Sequence, residues 1–323
     1  MKRSDKKFIG VAAGSPDAAS LDKIRTAAAG YEVVDVSGDN WREFIAGCEI
    51  IFGYLPPEKL KSAVNLKWMH VQSAGVDNLL KPGYNFPKGV KLTNSSGAYG
   101  IGISEHLLAV TLMLMRRMDK YVKNQQNKKW EHAGGVRSIY GSKVTVVGLG
   151  DIGSAYAKRC AALGASVRGV ARAPRDAKPD YIEKLYAADK IDEAIDGADV
   201  AALCLPGTGA TKNLFGRERL LKLKPGALIL NIGRGSAIDL TALAELLKTG
   251  RIGGAGLDVT DPEPLPRDSE LWETDNVIIT PHVSGSHIPG VTFPYIVDKF
   301  ARYLGDYIAG RPFERSVDFD AGY

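Results

Sequence analysis

Residues 143–164, KVTVVGLGDIGSAYAKRCAALG, have the pattern of a buried strand, a glycine-rich turn and a helix, and this pattern is the strongest indication of the fold. The turn places Gly148, Gly150 and Gly153 in the spacing GxGxxG. The first glycine allows a tight turn, the second lets a pyrophosphate approach the backbone, and the third lets helix and strand pack closely. Amide groups at the helix start would then face the phosphates. GxGxxG alone is weak evidence, but the strand–turn–helix context predicts a dinucleotide-binding unit.

Apolar runs on both sides of this stretch predict two doubly wound α/β domains with parallel sheets. Before residue 100 the runs alternate with polar–apolar segments typical of helices, and a second alternating series begins at residue 143. One long helix is predicted from near Ser104 to Trp130, and another after Pro289. The earlier strand-like runs are FIGVAAG (8–14), YEVVDVS (31–37), EIIFGYLP (49–56), LKWMHVQ (66–72) and VKLTNSS (90–96).

The composition limits the classes of function. A chain of 323 residues suggests two domains at about 150 residues each. The net charge is +5, but Lys and Arg are spread along the chain, so no nucleic-acid surface is predicted. The apolar segment Leu107–Met115 is too short to span a bilayer, and no membrane role is expected. The 3 cysteines are far apart, which predicts neither a disulfide framework nor a metal site and favours the cytoplasm.

The segment GVARAPRD, residues 169–176, lies where the fingerprint usually has an acidic residue, about 20 positions on. That acidic residue would bind the ribose hydroxyls of NAD, but the position holds Ala171, followed by Arg172 and Arg175. A guanidinium suits a 2′-phosphate, which a carboxylate would repel. We therefore predict NADP as the preferred cofactor, with NAD possible. The alternative is a pair of solvated arginines at a strand end.

Three charged or titratable residues each follow a predicted buried strand. Arg234 lies in ILNIGRG, Glu263 in LDVTDPEP and His282 in VIITPH. Ligands of open α/β sheets bind beyond the carboxyl ends of the strands, so these side chains are predicted to face one crevice. Arg234 would anchor a substrate carboxylate, His282 would give a proton to a ketone, and Glu263 would keep His282 protonated. Singly, each could instead be a cap, a loop charge or a structural histidine.

These motifs, in this order, resemble the D-isomer-specific 2-hydroxyacid dehydrogenase family, which includes glyoxylate/hydroxypyruvate reductases. The resemblance covers almost the whole chain through SAGVDN (73–78), GLGDIG, LCLPGTGATKNLF, NIGRG, AGLDVTDPEP and TPHVSG. It implies a flavodoxin-like substrate domain built from both chain ends (1–98 and 289–323). It also implies an inserted Rossmann domain (99–288) and a homodimer. Trp130 and His132 would lie near the partner's site.

The resemblance also implies roles for single residues. Arg234, Glu263 and His282 would form the catalytic set, and the amides of Ala74, Gly75 and Val76 would bind the substrate carboxylate. Asp258 would hold the nicotinamide carboxamide, and Leu205, Pro206 and Asn231 would line the cofactor cleft. Further cofactor contacts are predicted within the same motifs for Asp151, Ile152, Thr211, Ile232 and His282 itself.

Other predicted substrate contacts come from residues at strand ends or beside the motifs. Tyr54 and Tyr99 follow strands of the first domain, where aromatic rings would restrict bulk, although core packing is an equal alternative for each. Ser73 and Ser286 are also predicted to contact the substrate. The segment VSGSH departs from the usual family pattern after His282, and its His287 is either a substrate contact or a helix-start residue.

The sequence thus predicts reduction of a small 2-keto acid to the D-2-hydroxy acid, in a reversible reaction that favours NADPH. Two alternatives remain. One is an NAD-linked dehydrogenase of a phosphorylated or other hydroxy acid. The other is a dinucleotide-sensing scaffold of the corepressor type.

Overall fold

The computed structural model describes residues 6–13, 16–172, 178–288 and 290–319. The chain divides into two compact units. The first comprises Met1–Tyr99 and His287–Tyr323, and the second comprises Gly100–Ser286. Both units are α/β with all-parallel sheets, as the sequence predicts.

The first unit, called the terminal unit because it contains both chain ends, has a five-stranded sheet in the order β2-β1-β3-β4-β5. This is the flavodoxin-like order, which has its switch point between β1 and β3. The strands are β1 Phe8–Ala12, β2 Glu32–Asp35, β3 Cys48–Gly53, β4 Trp68–Val71 and β5 Lys91–Asn94. The helices are α1 Ala18–Ala27, α2 Trp41–Phe44, α3 Pro57–Leu60 and α10 Thr292–Ile308.

The second unit, called the inner unit, has a seven-stranded sheet in the order β12-β11-β10-β9-β6-β7-β8. Its strand order reverses between β6 and β9, as in a Rossmann fold, and the glycine-rich turn follows β6. The strands are β6 Lys143–Val147, β7 Ser166–Ala171, β8 Lys184–Ala187, β9 Val200–Leu203, β10 Ala227–Asn231, β11 Ile252–Leu257 and β12 Val277–Ile279. The helices are α4 Gly100–Met115, α5 Met118–Gln126, α6 Asp151–Ala162, α7 Ile191–Ile195, α8 Arg217–Leu220 and α9 Leu240–Lys248.

The central strands are fully buried because each parallel sheet has helices against its faces. Every residue of β3, β4, β9 and β10 is buried, which explains their continuous apolar runs. Three residues of these strands are polar although they are buried, namely Glu49 in β3, His70 in β4 and Asn231 in β10. The carboxyl ends of these strands place the following loops at one edge of each sheet.

The prediction of one long helix up to Trp130 is wrong. The structure has α4 and α5, separated at Arg117, whose φ of 57° is left-handed. Such a residue ends an α-helix, and the Arg117 side chain donates to the carbonyl of Gly135 at 2.8 Å. Neither Gly nor Pro marks the break, so the sequence carries no local signal for it. No helix of the described residues is long and apolar enough to cross a bilayer.

Two smaller features also differ from the prediction. The sequence does not predict the edge strand β8 (sequence KLYA), because this short segment mixes polar and apolar residues and lacks the apolar run of a buried strand. His287 does not start a helix, since α10 begins at Thr292. Its ring instead lies between those of Tyr99 and Phe293, with centroids 6.4 and 5.9 Å away.

Candidate active site

The turn between β6 and α6 needs glycine at two positions for packing alone. Gly148 has a φ of 100°, and a Cβ there would lie 2.4 Å from the carbonyl oxygen of Cys204. A Cβ on Gly153 would lie 2.0 Å from the Gly148 oxygen. A Cβ on Gly150, in contrast, would meet no atom within 4 Å. The turn is therefore tight toward the protein and open at Gly150, which fits the close approach of a pyrophosphate to the start of α6.

Asp151 and Ile152 open α6, next to this turn. A Cβ built on Gly100 would lie 2.4 Å from Oδ1 of Asp151, so this carboxylate lies against the start of α4. Ile152 is half-buried. Cofactor contacts by these two residues remain predictions.

The end of β7 carries the basic residues predicted to select the cofactor. Ala171 is buried, and Arg172 follows it as an exposed residue. The nearby Arg168 is used differently, because its guanidinium donates to the carbonyls of Ala194 and Asp196 at 3.3 and 2.9 Å. Arg175 lies outside the described residues. Within the described part of this segment, Arg172 is thus the predicted reader of a 2′-phosphate.

Arg234 lies between two glycines that backbone packing requires. A Cβ on Gly233 would lie 2.4 Å from the Leu205 oxygen, and one on Gly235 would lie 1.9 Å from the carbonyl carbon of Thr260. Asn231, at the end of β10, accepts from the Gly233 amide at 3.1 Å and donates to the Arg234 oxygen at 2.9 Å. Asn231 is 1% exposed. Its two hydrogen bonds fix the backbone conformation of the turn that carries Arg234.

The remaining predicted cofactor residues surround this turn. Leu205 and Pro206 follow β9, and the backbone of Leu205 contacts Gly233 as described. The Thr211 hydroxyl donates to the Pro206 oxygen at 2.7 Å and closes that loop. Ile232 is 7% exposed. Their cofactor contacts remain predictions.

His282 and Glu263 form a hydrogen-bonded pair, with Nδ1 of the imidazole 2.9 Å from Oε2 of the carboxylate. The other carboxylate oxygen accepts from the Thr260 amide at 3.2 Å, which orients Glu263. His282 has a φ of 53°, a conformation uncommon for a residue other than glycine and often found at functional sites. Because Nδ1 faces Glu263, Nε2 is the nitrogen available to a substrate.

Asp258 holds the loop that carries His282. Its Oδ1 accepts from the Thr280 hydroxyl at 2.6 Å and the Val283 amide at 2.9 Å, and its Oδ2 accepts from the Ser284 amide at 3.0 Å. Asp258 is 3% exposed. Burial alone would raise its pKa, but the hydrogen bonds from Ser284, Thr280 and Val283 outweigh burial and hold the pKa below its ordinary value. Asp258 is therefore an ionised acceptor that fixes the His282 backbone; its contact with a nicotinamide remains a prediction.

The predicted substrate residues of the terminal unit lie at the carboxyl ends of β3 and β4. Tyr54 follows β3, is 49% exposed and hydrogen-bonds the hydroxyl of Tyr84. Ser73–Val76 follow β4, the strand next to β3 in the sheet. Tyr99 is 8% exposed, and its hydroxyl donates to the Gln72 oxygen at 2.6 Å, so it supports this loop from beneath. Ser286, in the inner unit, is exposed.

The sequence did not single out some residues that support the site. Thr280 lies at the start of the loop that carries His282 and donates from its hydroxyl to Asp258 Oδ1, and Asn94 donates from Nδ2 to the carbonyl oxygen of Ala74. Thr280 could have been found, because it and Asp258 directly follow the paired strands β12 and β11. Asn94 gives no such signal, since its partner is a backbone carbonyl.

Comparison with known proteins shows which family this chain resembles. The model for the NAD-binding domain of D-isomer specific 2-hydroxyacid dehydrogenases matches residues 108–284. The chain is 33% identical over 241 residues to glyoxylate/hydroxypyruvate reductase B of Pectobacterium atrosepticum, covering 72% of this chain and 74% of that one. It is 32% identical to D-3-phosphoglycerate dehydrogenase of Archaeoglobus fulgidus over 71% of this chain, but spans only 43% of that longer protein.

Among solved structures, a similar one is the NADPH-dependent glyoxylate/hydroxypyruvate reductase of Sinorhizobium meliloti, in complex with NADP and sulfate. It aligns with a TM-score of 0.81 at 26% identity, covering 98% of this chain and 100% of that one. The family model spans more than half of the chain. The chain therefore belongs to the D-isomer specific 2-hydroxyacid dehydrogenase family and is an NAD(P)-dependent oxidoreductase.

Proposed function

We propose that this protein reduces a small 2-keto acid to the D-2-hydroxy acid, with NADPH preferred over NADH. The observation that supports the chemistry best is the pair between His282 Nδ1 and Glu263 Oε2 at 2.9 Å. It leaves Nε2 of a histidine as a proton donor at the carboxyl edge of the sheet. The glycine-rich turn of the same unit fits the cofactor.

A reduced nicotinamide, when bound, supplies a hydride to the carbonyl carbon. His282 gives the proton from Nε2 to the carbonyl oxygen, so that the C=O becomes CH–OH. The Glu263 carboxylate stabilises the positively charged imidazole before that transfer. The Arg234 guanidinium binds the substrate carboxylate through its planar fork of N–H donors. In the reverse direction the neutral His282 accepts the proton.

The residues at the end of β7 support the preference for NADPH. Ala171 occupies the place of an acidic reader, and Arg172 follows it. A hydrogen bond between charged groups contributes about 1.5–3 kcal/mol, on the order of ten- to a hundredfold in affinity. Because the 2′-phosphate is remote from the hydride, this contribution should appear mainly in KM.

The test measures loss of NADPH or NADH absorbance with glyoxylate, hydroxypyruvate and pyruvate. The wild-type chain should use NADPH with the higher kcat/KM. The Arg172→Ala variant should lose much of that preference. Lys184→Ala is a matched control, because it removes a positive charge at the opposite end of the neighbouring strand β8. A wild-type enzyme that favours NADH, or an unchanged cofactor ratio in Arg172→Ala, would contradict the proposed reader.

We also propose that the protein works in the cytoplasm as a homodimer. Large side chains exposed in the inner unit support an interface with a second copy, since Trp130 is fully exposed and Tyr140 is 78% exposed. Light scattering after size exclusion should give twice the chain mass of 34.7 kDa. A monomer at micromolar concentration would contradict this assembly.

A further inference from the structure

The loop Gln72–Val76, which follows β4, has all five of its backbone carbonyl oxygens occupied as acceptors. Each accepts a hydrogen bond from a group within the terminal unit. In order along the loop, the donors are the Tyr99 hydroxyl at 2.6 Å, the Ser95 amide at 3.0 Å, Asn94 Nδ2 at 2.8 Å, the Ser73 hydroxyl at 2.7 Å and the Leu79 amide at 2.8 Å.

The bound carbonyls also fix the directions of the loop's amides. In a trans peptide the N–H points away from the C=O of the preceding residue. The bonds to the oxygens of Ser73, Ala74 and Gly75 therefore orient the amides of Ala74, Gly75 and Val76. Within the described residues, no protein acceptor is recorded for these three amides. Successive amides of this kind form a concave site for an anion.

The central peptide, between Ala74 and Gly75, is the one that can rotate most easily. Glycine accepts positive and negative φ about equally, so a flip at this peptide meets little steric resistance. A flip would replace the Gly75 N–H with the Ala74 oxygen and turn a donor toward an anion into an acceptor. The only recorded bond on the Ala74 oxygen among the described residues comes from Asn94 Nδ2.

Asn94 is well placed to hold this peptide. It is the last residue of β5 and is paired with Val71 at the end of β4, directly before the loop. Its Oδ1 accepts from the Ser96 amide at 3.2 Å, which orients the side chain so that Nδ2 faces Ala74. We infer that Asn94 is a positioning residue that locks the loop as a carboxylate-binding cradle. The inference rests on the proposed function in one respect only, which is that the bound carboxylate belongs to the 2-keto acid substrate.

The test compares Asn94→Ala with Asn65→Ala. Asn65 is a matched control in the same unit, because its Nδ2 also donates to an alanine carbonyl, that of Ala46, at 2.7 Å. That bond lies before β3 and β4, away from the loop. Two quantities are measured for each variant: KM for the 2-keto acid that the wild-type chain uses best, and Kd of oxalate by calorimetry.

Loss of one hydrogen bond should raise KM and the oxalate Kd about three- to tenfold in Asn94→Ala. The Kd of NADPH should not change, and Asn65→Ala should match the wild type in all three quantities. A merely structural role would change both variants alike, and that result would overturn the inference. Unchanged oxalate binding in a folded Asn94→Ala would also overturn it.

A second variant keeps the test valid if Asn94→Ala does not fold. Ser73→Ala, at an exposed position, releases the Gly75 oxygen and should also weaken oxalate binding. Unchanged oxalate binding in this variant would contradict the cradle. If the wild-type chain reduces no keto acid, the proposed function fails. Weaker oxalate binding in Asn94→Ala would in that case still support the role of Asn94.

Discussion

Two loops that follow parallel strands in different units are held by opposite kinds of partner. In Gln72–Val76, neutral donors bind the backbone carbonyls, which leaves backbone amides for a ligand. In the loop after β12, the Asp258 carboxylate binds backbone amides, which leaves the His282 side chain for chemistry. The chemistry open to each loop therefore depends on which of its backbone groups, carbonyls or amides, are already hydrogen-bonded within the protein. The first loop is suited to bind an anion, and the second to deliver a proton.

The largest effect is expected from removing the side chain that the second loop presents. His282→Ala should lower kcat for keto-acid reduction by about 10²–10⁴-fold, the usual contribution of general acid catalysis. The Kd of NADPH, measured by fluorescence titration, should stay near the wild-type value, because His282 moves a proton and does not hold the phosphates. Turnover close to wild type would remove His282 from the mechanism.

A smaller effect is expected from weakening the support of that loop. In Asp258→Asn the neutral amide is a poorer acceptor for the Val283 and Ser284 amides, so kcat should fall about tenfold or more. Asp199→Asn is the matched control. Asp199 also has a lowered pKa, despite a raising effect of burial, because it accepts from the Lys143 amide and the Lys224 ammonium. These bonds lie at the amino ends of β6 and β9. If both variants lose kcat equally, the role of Asp258 is general stability.

The sequence predicts the second loop better than the first. His282 of the second loop is recognisable, as are Arg234 and Glu263, because each is a charged or titratable residue in a loop that follows an apolar strand. The glycines of the turn are recognisable because packing demands them at fixed spacing. The first loop depends on bonds from Asn94 and Tyr99 to backbone carbonyls, which no side-chain pattern reveals. The break at Arg117 and the strand β8 were missed because their causes lie in tertiary contacts.

The smallest effect is expected in the pH dependence of the unfolding free energy, to which the buried residues His70 and Asp258 should contribute differently. His70, on β4 beneath the first loop, binds the hydroxyls of Thr93 and Ser95 at 2.7 and 3.1 Å. Burial, with a smaller contribution from the Lys299 charge, lowers the pKa of His70 from 6.5 to about 3. The unfolded chain therefore binds a proton that the folded chain does not, and stability is lost as the pH falls from 6.5 toward 3.

The loss from one such histidine is at most about 1.4 kcal/mol of unfolding free energy per pH unit. The urea midpoint of the wild type should therefore fall more between about pH 7 and about pH 5 than that of His70→Gln. The Asp258 carboxylate, with its lowered pKa, stays ionised over that interval and adds no such loss. Equal midpoint shifts in wild type and variant would show that His70 is not the source of the acid sensitivity.

The identity of the product tests the proposed reaction most directly. The wild-type chain is incubated with NADPH and whichever of hydroxypyruvate and pyruvate it uses better, because both give a chiral product, and the hydroxy acid is separated by chiral chromatography. One equivalent of D-2-hydroxy acid should form for each NADPH oxidised, and His282→Ala should form almost none in the same time. Formation of the L-isomer, or NADPH oxidation without hydroxy acid, would contradict the proposed reaction.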